Sequence, residues 1–292
     1  MVLVRKPVVA GQFYSEGFEK LDKQIIECFK SKLGPGDLPV RRNNKSITQG
    51  IISPHAGYQF SGPAAAWAFK EVAESKLPSR FVIIGPNHTG ISSSEVSTTI
   101  ATWDTPFGQL EPDEDFIRRL LEDCNLVKID HNAHSYEHSI EVQLPFLQFA
   151  NKDVLKKVRI VPLIISHYDL ETCTILADKI AEISEDFCVI ASSDFTHYGP
   201  NYGYTPFSRN VKENLYELDK GAISLINKMD TKGFLKYVED KRATICGAGP
   251  IAVCMEVMRN LGIKKGELLR YYTSGDVIKD YTNAVGYAAI KF

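Results

Sequence analysis

Residues 81–88 of this 292-residue chain, FVIIGPNH, indicate the fold class. The run from Phe81 to Gly85 is short, continuously apolar and followed by a proline, as expected for a strand buried on both faces of a sheet. Similar runs occupy residues 158–165 and 187–192, and residues 169–183 between them have the pattern of a helix. Strands that alternate with helices of about 10–15 residues predict a largely parallel sheet with helices on its faces.

These elements predict one α/β domain over residues 1–292, a three-layer α/β/α arrangement with a mixed, mostly parallel central sheet. Residues 268–273 and 284–292 are expected to form two strands close together, which indicates antiparallel pairing in part of the sheet. The β-branched stretch 95–102 is also expected to be a strand. Residues 139–149 predict a helix that is kinked or broken at Pro145.

Charge and composition exclude several classes of protein. The chain has 34 Lys and Arg against 36 Asp and Glu, a net charge of −2, and 44% of its residues are hydrophobic. A disordered chain has fewer apolar residues and more net charge, and a dedicated nucleic-acid binder has a basic excess. We therefore expect a folded protein without a nucleic-acid partner.

The N-terminal sequence and the cysteines bear on the compartment. The first residues, MVLVRKPVVAGQFYSEG, lack the apolar core of a secretory signal, and no segment reaches the roughly 18–20 apolar residues of a membrane span. The six cysteines form no C-x-x-C pair and no dense framework, which argues against a zinc ribbon and a disulfide scaffold. We expect a cytoplasmic protein without a membrane partner.

Histidines follow three of the predicted strands directly. His55 lies in SPHAGY, His88 in GPNHTG and His197 in SSDFTHYG, each after an apolar run. Ligands of open α/β sheets bind beyond the carboxyl ends of the strands, so we expect these side chains to share one pocket. Residues 131–141 contain three more histidines, and His167 is the one of the seven that lies outside these four stretches.

Two imidazoles and one anionic ligand make an open metal site, and His55 and His88 are the candidate imidazoles. Cys246 is the anionic candidate, because it precedes a predicted helix whose positive end lowers the pKa of a thiol. A thiolate with two neutral imidazoles suits iron, copper or zinc better than calcium or magnesium. Asp194 and His197 are a candidate acid/base pair, in which the carboxylate orients the ring or hydrogen-bonds a bound water.

Each candidate also has a purely structural interpretation. A single histidine after a strand is more often a capping residue than a ligand, and Cys246 could serve only close packing at a helix start. His134 and His138 have the i, i+4 spacing of one helix face, but the H-E-x-x-H pattern of zinc peptidases is absent from the sequence. Glu137 and Glu141 fit equally well as charge partners for these histidines.

The sequence resembles the Memo family, whose members occur from archaea to humans. The resemblance runs from about residue 7 to residue 292, with several motifs in the same order. The matching stretches are AGQFY at 10–14, SPHAGY at 53–58, GPNH at 85–88, EHSIE at 137–141, SSDFTHYG at 192–199 and CG at 246–247.

The Memo family itself resembles the class III extradiol dioxygenases in fold and pocket position, and those enzymes use non-heme ferrous iron. The resemblance implies that His55 and His88 match the two histidine ligands of the iron, and that Cys246 stands where the dioxygenases have a glutamate. It also implies that His197 is the acid/base histidine, with Asp194 beside it. The further pocket residues that it implies are Tyr58, Asn87, His138 and Glu141.

Three hypotheses follow for the function. The first is a metal-dependent redox protein or oxidoreductase of the extradiol-dioxygenase-like type that uses iron or copper, with zinc as a third candidate because a thiolate alters metal preference. The second is a non-catalytic protein that keeps an enzyme-like pocket for a small molecule or a peptide. The third is a metal-assisted hydrolase in which Asp194 or His197 activates water.

Overall fold

A 12-stranded sheet runs through the computed structural model, which describes residues 3–40, 42, 46–184 and 186–292. The strands are β1 (Val4–Arg5), β2 (Gly50–Ser53), β3 (Arg80–Pro86), β4 (Val96–Thr98), β5 (Thr102–Thr105), β6 (Gly108–Pro112), β7 (Val127–Ile129), β8 (Arg159–Ile165), β9 (Phe187–Ser192), β10 (His197–Tyr198), β11 (Glu267–Thr273) and β12 (Ala284–Lys291).

Helices cover the sheet. In the described parts of the chain they are α1 (Phe18–Lys30), α2 (Tyr58–Glu74), α3 (Glu114–Asp123), α4 (His131–Ser135), α5 (Gln143–Ala150), α6 (Leu170–Ile183), α7 (Val211–Asn227), α8 (Thr231–Lys241), α9 (Ala248–Asn260) and α10 (Ser274–Ile278). Among these helices, none combines the length and the apolarity needed to cross a bilayer.

The centre of the sheet is parallel and its margins are mixed. Strands β6, β8, β3, β9 and β2 lie side by side in parallel, and β12 then pairs with β2 in the antiparallel direction. Strands β10 and β11 both pair antiparallel with β12. The expected α/β fold with a mixed, mostly parallel central sheet is confirmed.

The central strands are apolar throughout because both of their faces are buried. On β3, Val82 and Ile84 belong to a hydrophobic core that they share with residues of α3, α6 and α9. The alternate residues Phe81 and Ile83 belong to a second core, with residues of α1, α2 and α5. Successive side chains of a strand point to opposite faces, so one short apolar run contributes to both layers of helices.

Two boundaries differ from the sequence-based expectation. Helix α5 begins at Gln143, so Pro145 lies in its first turn, where a missing N–H leaves no intrahelical bond unmade and requires no kink. The stretch 95–102 forms parts of two strands, because β4 ends at Thr98 on β8 and β5 begins at Thr102 beside β1.

Parallel pairing places the ends of three strands together. Ser53, the last residue of β2, is paired with Ser192, the last residue of β9, and Ile84 of β3 is paired with Ala191 of β9. The residues that follow β2, β3 and β9 therefore leave the sheet at one edge. This edge is where the sequence analysis expects the pocket.

A buried ion pair attaches the N-terminal segment to the rest of the fold. Glu141 accepts hydrogen bonds from the Arg5 guanidinium, the Tyr14 hydroxyl (2.6 Å) and the backbone N–H groups of Val8 (2.9 Å) and Val9 (3.0 Å). Neither charge reaches solvent, since the exposed fraction of the side chain is 5% for Arg5 and 0% for Glu141. The carboxylate thus holds the segment that leads from β1 towards α1.

Replacing Arg5 with Met is expected to destabilise the fold by about 3–5 kcal/mol, because it leaves the buried Glu141 carboxylate without its cation. The free energy of unfolding, measured by urea denaturation, checks this. The neighbouring substitution Lys6→Met is the matched control, since the ion pair of Lys6 with Asp104 is solvent-exposed and is worth about 1 kcal/mol or less. Equal losses in the two variants would contradict the assignment.

Candidate functional site

A cavity of about 490 Å³ lies beyond the ends of β2, β3 and β9. Its polar side carries four imidazoles and one carboxylate, from His55, His88, His138, His197 and Asp194. Its apolar side is formed by Phe13, Phe60, Tyr202, Ile278, Val285 and Tyr287. The cavity therefore combines a cluster of metal-binding and proton-transferring groups with a hydrophobic wall.

The three predicted metal ligands lie together, and two of them, His55 and His88, line this cavity. One ligand atom each of His55, His88 and Cys246 lies within 4.8 Å of the others, and Cys246 Sγ is 3.2 Å from His55 Nε2. A second set, Asp194, His197 and Cys246, meets the same distance criterion and shares the thiol. The five residues predicted for metal binding and for acid/base chemistry thus form one cluster.

The hydrogen bonds of Ser192 determine the tautomer of His55. The Ser192 hydroxyl has a single proton, and it donates this proton to the Ser139 carbonyl oxygen at 2.6 Å. Ser192 Oγ must therefore accept from His55 Nδ1–H at 2.8 Å, as it also accepts from Gln143 Nε2. Nε2 of His55 is left unprotonated and faces Cys246, as a metal ligand requires.

Glu137 performs the equivalent role for His88. Its Oε1 accepts from His88 Nδ1 at 2.9 Å and from the backbone N–H groups of His138 (2.9 Å) and Ser139 (2.8 Å). Burial alone raises the pKa of the Glu137 carboxyl, but the hydrogen bond and charge of His88 and the backbone donors outweigh it and lower the pKa to about 2. The ionised carboxylate leaves His88 Nε2 as the nitrogen available to a ligand.

His197 is oriented by a backbone carbonyl rather than by Asp194. Its Nδ1 donates to the Thr244 carbonyl oxygen at 3.0 Å, and the Thr244 hydroxyl bonds the backbone N–H and carbonyl of His197. Asp194 instead accepts from the backbone N–H of His55 at 2.8 Å, so it holds the turn that carries this ligand. Burial raises the pKa of the Asp194 carboxyl, while the charge of His197 opposes the shift.

The expected low pKa of the Cys246 thiol is wrong. Burial, and then the charge of Asp194, raise the pKa of Cys246 well above its ordinary value, and these effects outweigh the positive end of α9. The close packing around Cys246 depends on Gly247, since a Cβ there would lie 2.6 Å from the Ser192 carbonyl oxygen. The thiol therefore stays protonated until a cation displaces the proton.

Three of the expected pocket residues lie outside the cavity wall, and His138 alone of that group lines it. Tyr58 is buried and donates its hydroxyl proton to the Val142 carbonyl at 2.7 Å. Asn87 points its amide at Ser166 Oγ, 2.9 Å away. Glu141 binds the N-terminal segment. Each of these three side chains has its hydrogen-bond partner outside the cavity wall.

The other histidines are also placed elsewhere. His134 is buried and donates from Nε2 to the Ser97 carbonyl at 3.2 Å, so its partner is a backbone oxygen and not Glu137 or Glu141, the charge partners considered in the structural interpretation. His131 contacts Thr99 Oγ1 through Nδ1, and His167 lines a separate surface cavity. Clustering in the sequence therefore did not distinguish the cavity imidazoles from the packed ones.

Sequence reasoning missed the two residues that orient His55 and His197. Ser192 and Thr244 stand two positions before the predicted residues Asp194 and Cys246, so both lie inside or beside the recognised motifs. Their proximity to the motifs was a signal, but their partners are 137 and 47 residues away in the chain. Such pairings exist only in the folded protein.

Comparison with known proteins assigns nearly the whole chain to one family. The family model for Memo-like proteins matches residues 5–291. The chain belongs to the Memo family. It is 42% identical over 292 residues to the MEMO1 family protein MK0963 of Methanopyrus kandleri, covering 99% of this chain and 98% of the relative. It is 39% identical over 292 residues to a MEMO1 family protein of Nitrosopumilus maritimus, covering 99% and 100%.

The Memo fold also has a counterpart among solved structures. The crystal structure of the uncharacterized protein JW3007 from Escherichia coli K12 superimposes with a TM-score of 0.55. The match covers 83% of this chain and 98% of that chain, at 11% sequence identity. At this identity the similarity shows a shared fold.

Acidification is expected to destabilise the protein through His134. Burial lowers the pKa of His134 from 6.5 to about 3, so between these values the unfolded chain takes up a proton that the folded chain does not. The unfolding free energy should fall by about 1.4 kcal/mol per pH unit from this residue alone as the pH drops through that window. Urea denaturation at several pH values in this window should show a weaker dependence of the unfolding free energy on pH for His134→Gln than for the wild type. The same pH dependence in both proteins would refute this account.

Proposed function

We propose that this Memo-family chain is a metal-binding redox protein that holds iron or copper on His55, His88 and Cys246. The observation that carries the proposal is the convergence of two imidazoles, each fixed at Nδ1 by a separate acceptor, on one thiol. Metal-binding histidines ordinarily donate their second ring N–H to such a partner. A packed histidine such as His131 also binds a partner through Nδ1, so the convergence of His55 and His88 on one thiol is the feature that favours a metal site.

The chemistry of the donor set fits these metals. Two imidazole nitrogens and a sulfur suit iron, copper or zinc, whereas the all-oxygen sites of calcium and magnesium differ in kind. The high pKa of the Cys246 thiol means that a bound cation must displace its proton, so metal binding should release a proton. When bound, iron or copper would supply Lewis acidity and one-electron redox chemistry.

The remaining cavity residues would transfer a proton and bind the ligand. His197 Nδ1 is occupied by the Thr244 carbonyl, so Nε2 is the nitrogen that can take a proton from a ligand and return it. Asp194, buried beside it, stabilises the positive ring. The aromatic and aliphatic wall would exclude water and pack against the apolar part of a small molecule. An oxidoreductase of the extradiol-dioxygenase-like type is the enzyme class that these roles fit.

Anaerobic titration with Fe²⁺ and with Cu⁺ tests the metal site. Wild-type protein should bind about one equivalent in competition with a chromophoric chelator, because its donors are already assembled. Cys246→Ala and His55→Ala should each weaken the metal affinity by more than about 100-fold. This loss exceeds the roughly 10–100-fold loss expected when a residue that only orients a ligand is changed. Cys124→Ala is the matched control, since Cys124 is a buried thiol in the hydrophobic core.

Three outcomes would contradict the redox proposal. Wild-type protein that binds neither metal at micromolar free concentration has no such site. Ligand-induced stabilisation that persists in excess chelator would favour a non-catalytic binding protein, because a ligand raises the melting temperature wherever it binds the folded state. Turnover of an ester, phosphate or peptide by protein loaded with redox-inactive zinc would favour the hydrolase.

A further inference from the structure

Two fully buried carboxylates stand four residues apart in the EHSIE segment, and they bind different parts of the molecule. Glu137 and Glu141 both have an exposed fraction of 0%. Glu141 holds the N-terminal segment through Arg5 and the backbone of Val8 and Val9. Glu137 contacts a cavity imidazole, that of His88. Two equally buried glutamates thus bind different parts of the molecule, the cavity and the N-terminal segment.

We propose that Glu137 is a positioning residue of the metal centre, which sets the tautomer and orientation of His88 for ligation, while Glu141 anchors only the fold. The proposal rests on the proposed function, in which His88 is a ligand. The hydrogen bonds of Glu137 with His88 are the evidence for this role, which the motif and the charge of Glu137 do not establish.

The hydrogen bonds of Glu137 permit only one arrangement of protons. The carboxylate is a pure acceptor, and it receives the N–H groups of His88, His138 and Ser139 together with His88 Nδ1. His88 Nδ1 must therefore carry a proton. Because both the backbone and the ring of His88 bind this carboxylate, the ring cannot turn without breaking a charge-assisted hydrogen bond.

Neighbouring groups support the choice of His88 over the other nearby imidazole. His138 Nδ1 is 3.6 Å from Glu137 Oε1, too far for a hydrogen bond, whereas His88 Nδ1 is at 2.9 Å. The His138 ring stacks on His88 with centroids 4.7 Å apart and an interplanar angle of 16°. Arg5 also donates to the Glu137 carbonyl oxygen at 2.6 Å, which fixes the backbone that carries the carboxylate.

The substitution Glu137→Gln weakens this constraint, because a neutral amide oxygen accepts a hydrogen bond less strongly than a carboxylate and the new NH₂ group opposes a donor in either orientation. In one orientation the NH₂ group faces His88 Nδ1 and the backbone N–H groups of His138 and Ser139, and in the other it faces the backbone N–H of His88. Glu141→Gln makes the same chemical change at an equally buried carboxylate that touches none of the cavity imidazoles. Glu137→Asp keeps the charge and is expected to recover part of the wild-type behaviour.

The first measurement uses metal-free protein, and the result that can overturn the proposal is read on the wild type. Long-range ¹H–¹⁵N spectra at about pH 8, where a free imidazole is neutral, report which ring nitrogen is protonated. His88, assigned with a His88→Gln variant, should be the Nδ1–H tautomer in wild-type protein and in Glu141→Gln. It should become a mixture in Glu137→Gln. An Nε2–H tautomer in the wild type overturns the proposal.

The second measurement is metal affinity, with Co²⁺ as the probe because its thiolate charge-transfer absorption reports ligation by Cys246. Glu137→Gln should weaken Co²⁺ binding by about 10–100-fold and Glu137→Asp by less. Glu141→Gln should lower the melting temperature but leave the Kd for Co²⁺ within about threefold of the wild-type value, a much smaller change than the one expected for Glu137→Gln. Equal loss of affinity in the two Gln variants would show a general effect on stability and overturn the proposal.

The two measurements separate this proposal from the proposed function. Wild-type protein that shows His88 as the Nδ1–H tautomer but binds no metal contradicts the metal site, and with it the role of Glu137 in ligation. If wild-type protein binds Co²⁺ and the Glu137→Gln variant binds it with the same affinity, the metal site is supported and the positioning role is contradicted.

Discussion

Parallel pairing of β9 with both β2 and β3 is the constraint on which the site depends. Ser53 beside Ser192, and Ile84 beside Ala191, align three strand ends at one edge of the sheet. Each strand then releases a chemically active residue two positions past its end, namely His55, His88 and Asp194. Since the hydrogen bonds of buried parallel strands tolerate no change of register without turning every side chain over, this alignment is firmly held.

Hydrogen-bond acceptors at that edge then determine which ring nitrogens carry protons. Each imidazole ligand or base is bound at Nδ1 by a different acceptor, Ser192, Glu137 or Thr244, although only His55 of the three histidines is fully buried. The acceptors differ in kind: a hydroxyl, a carboxylate and a backbone carbonyl. All three leave Nε2 as the nitrogen available to the cavity. Desolvation raises the pKa of the Cys246 thiol, so metal binding there would be coupled to proton release.

The apolar wall unites segments that are distant in the sequence. Phe13 comes from the N-terminal segment held by Glu141 and lies edge-on to His138, with ring centroids 5.0 Å apart. Tyr202 comes from the turn after β10 and lies edge-on to His197 at 5.1 Å. Phe13 therefore brings the N-terminal segment into the cavity wall.

The apolar pattern of the sequence was enough to predict the alternation of buried strands and helices and the placement of His55 and His88 just after strands, because both features are local. His197, the third histidine expected after a strand, instead begins the short strand β10. The sequence could not separate the cavity residue His138 from the packed residue His134, although both lie in one stretch. The tertiary structure decided these matters, together with the tautomers and the thiol pKa. The reason is physical: His55 and Cys246 are 191 residues apart in the chain, and desolvation and hydrogen-bond partners arise only where such segments meet.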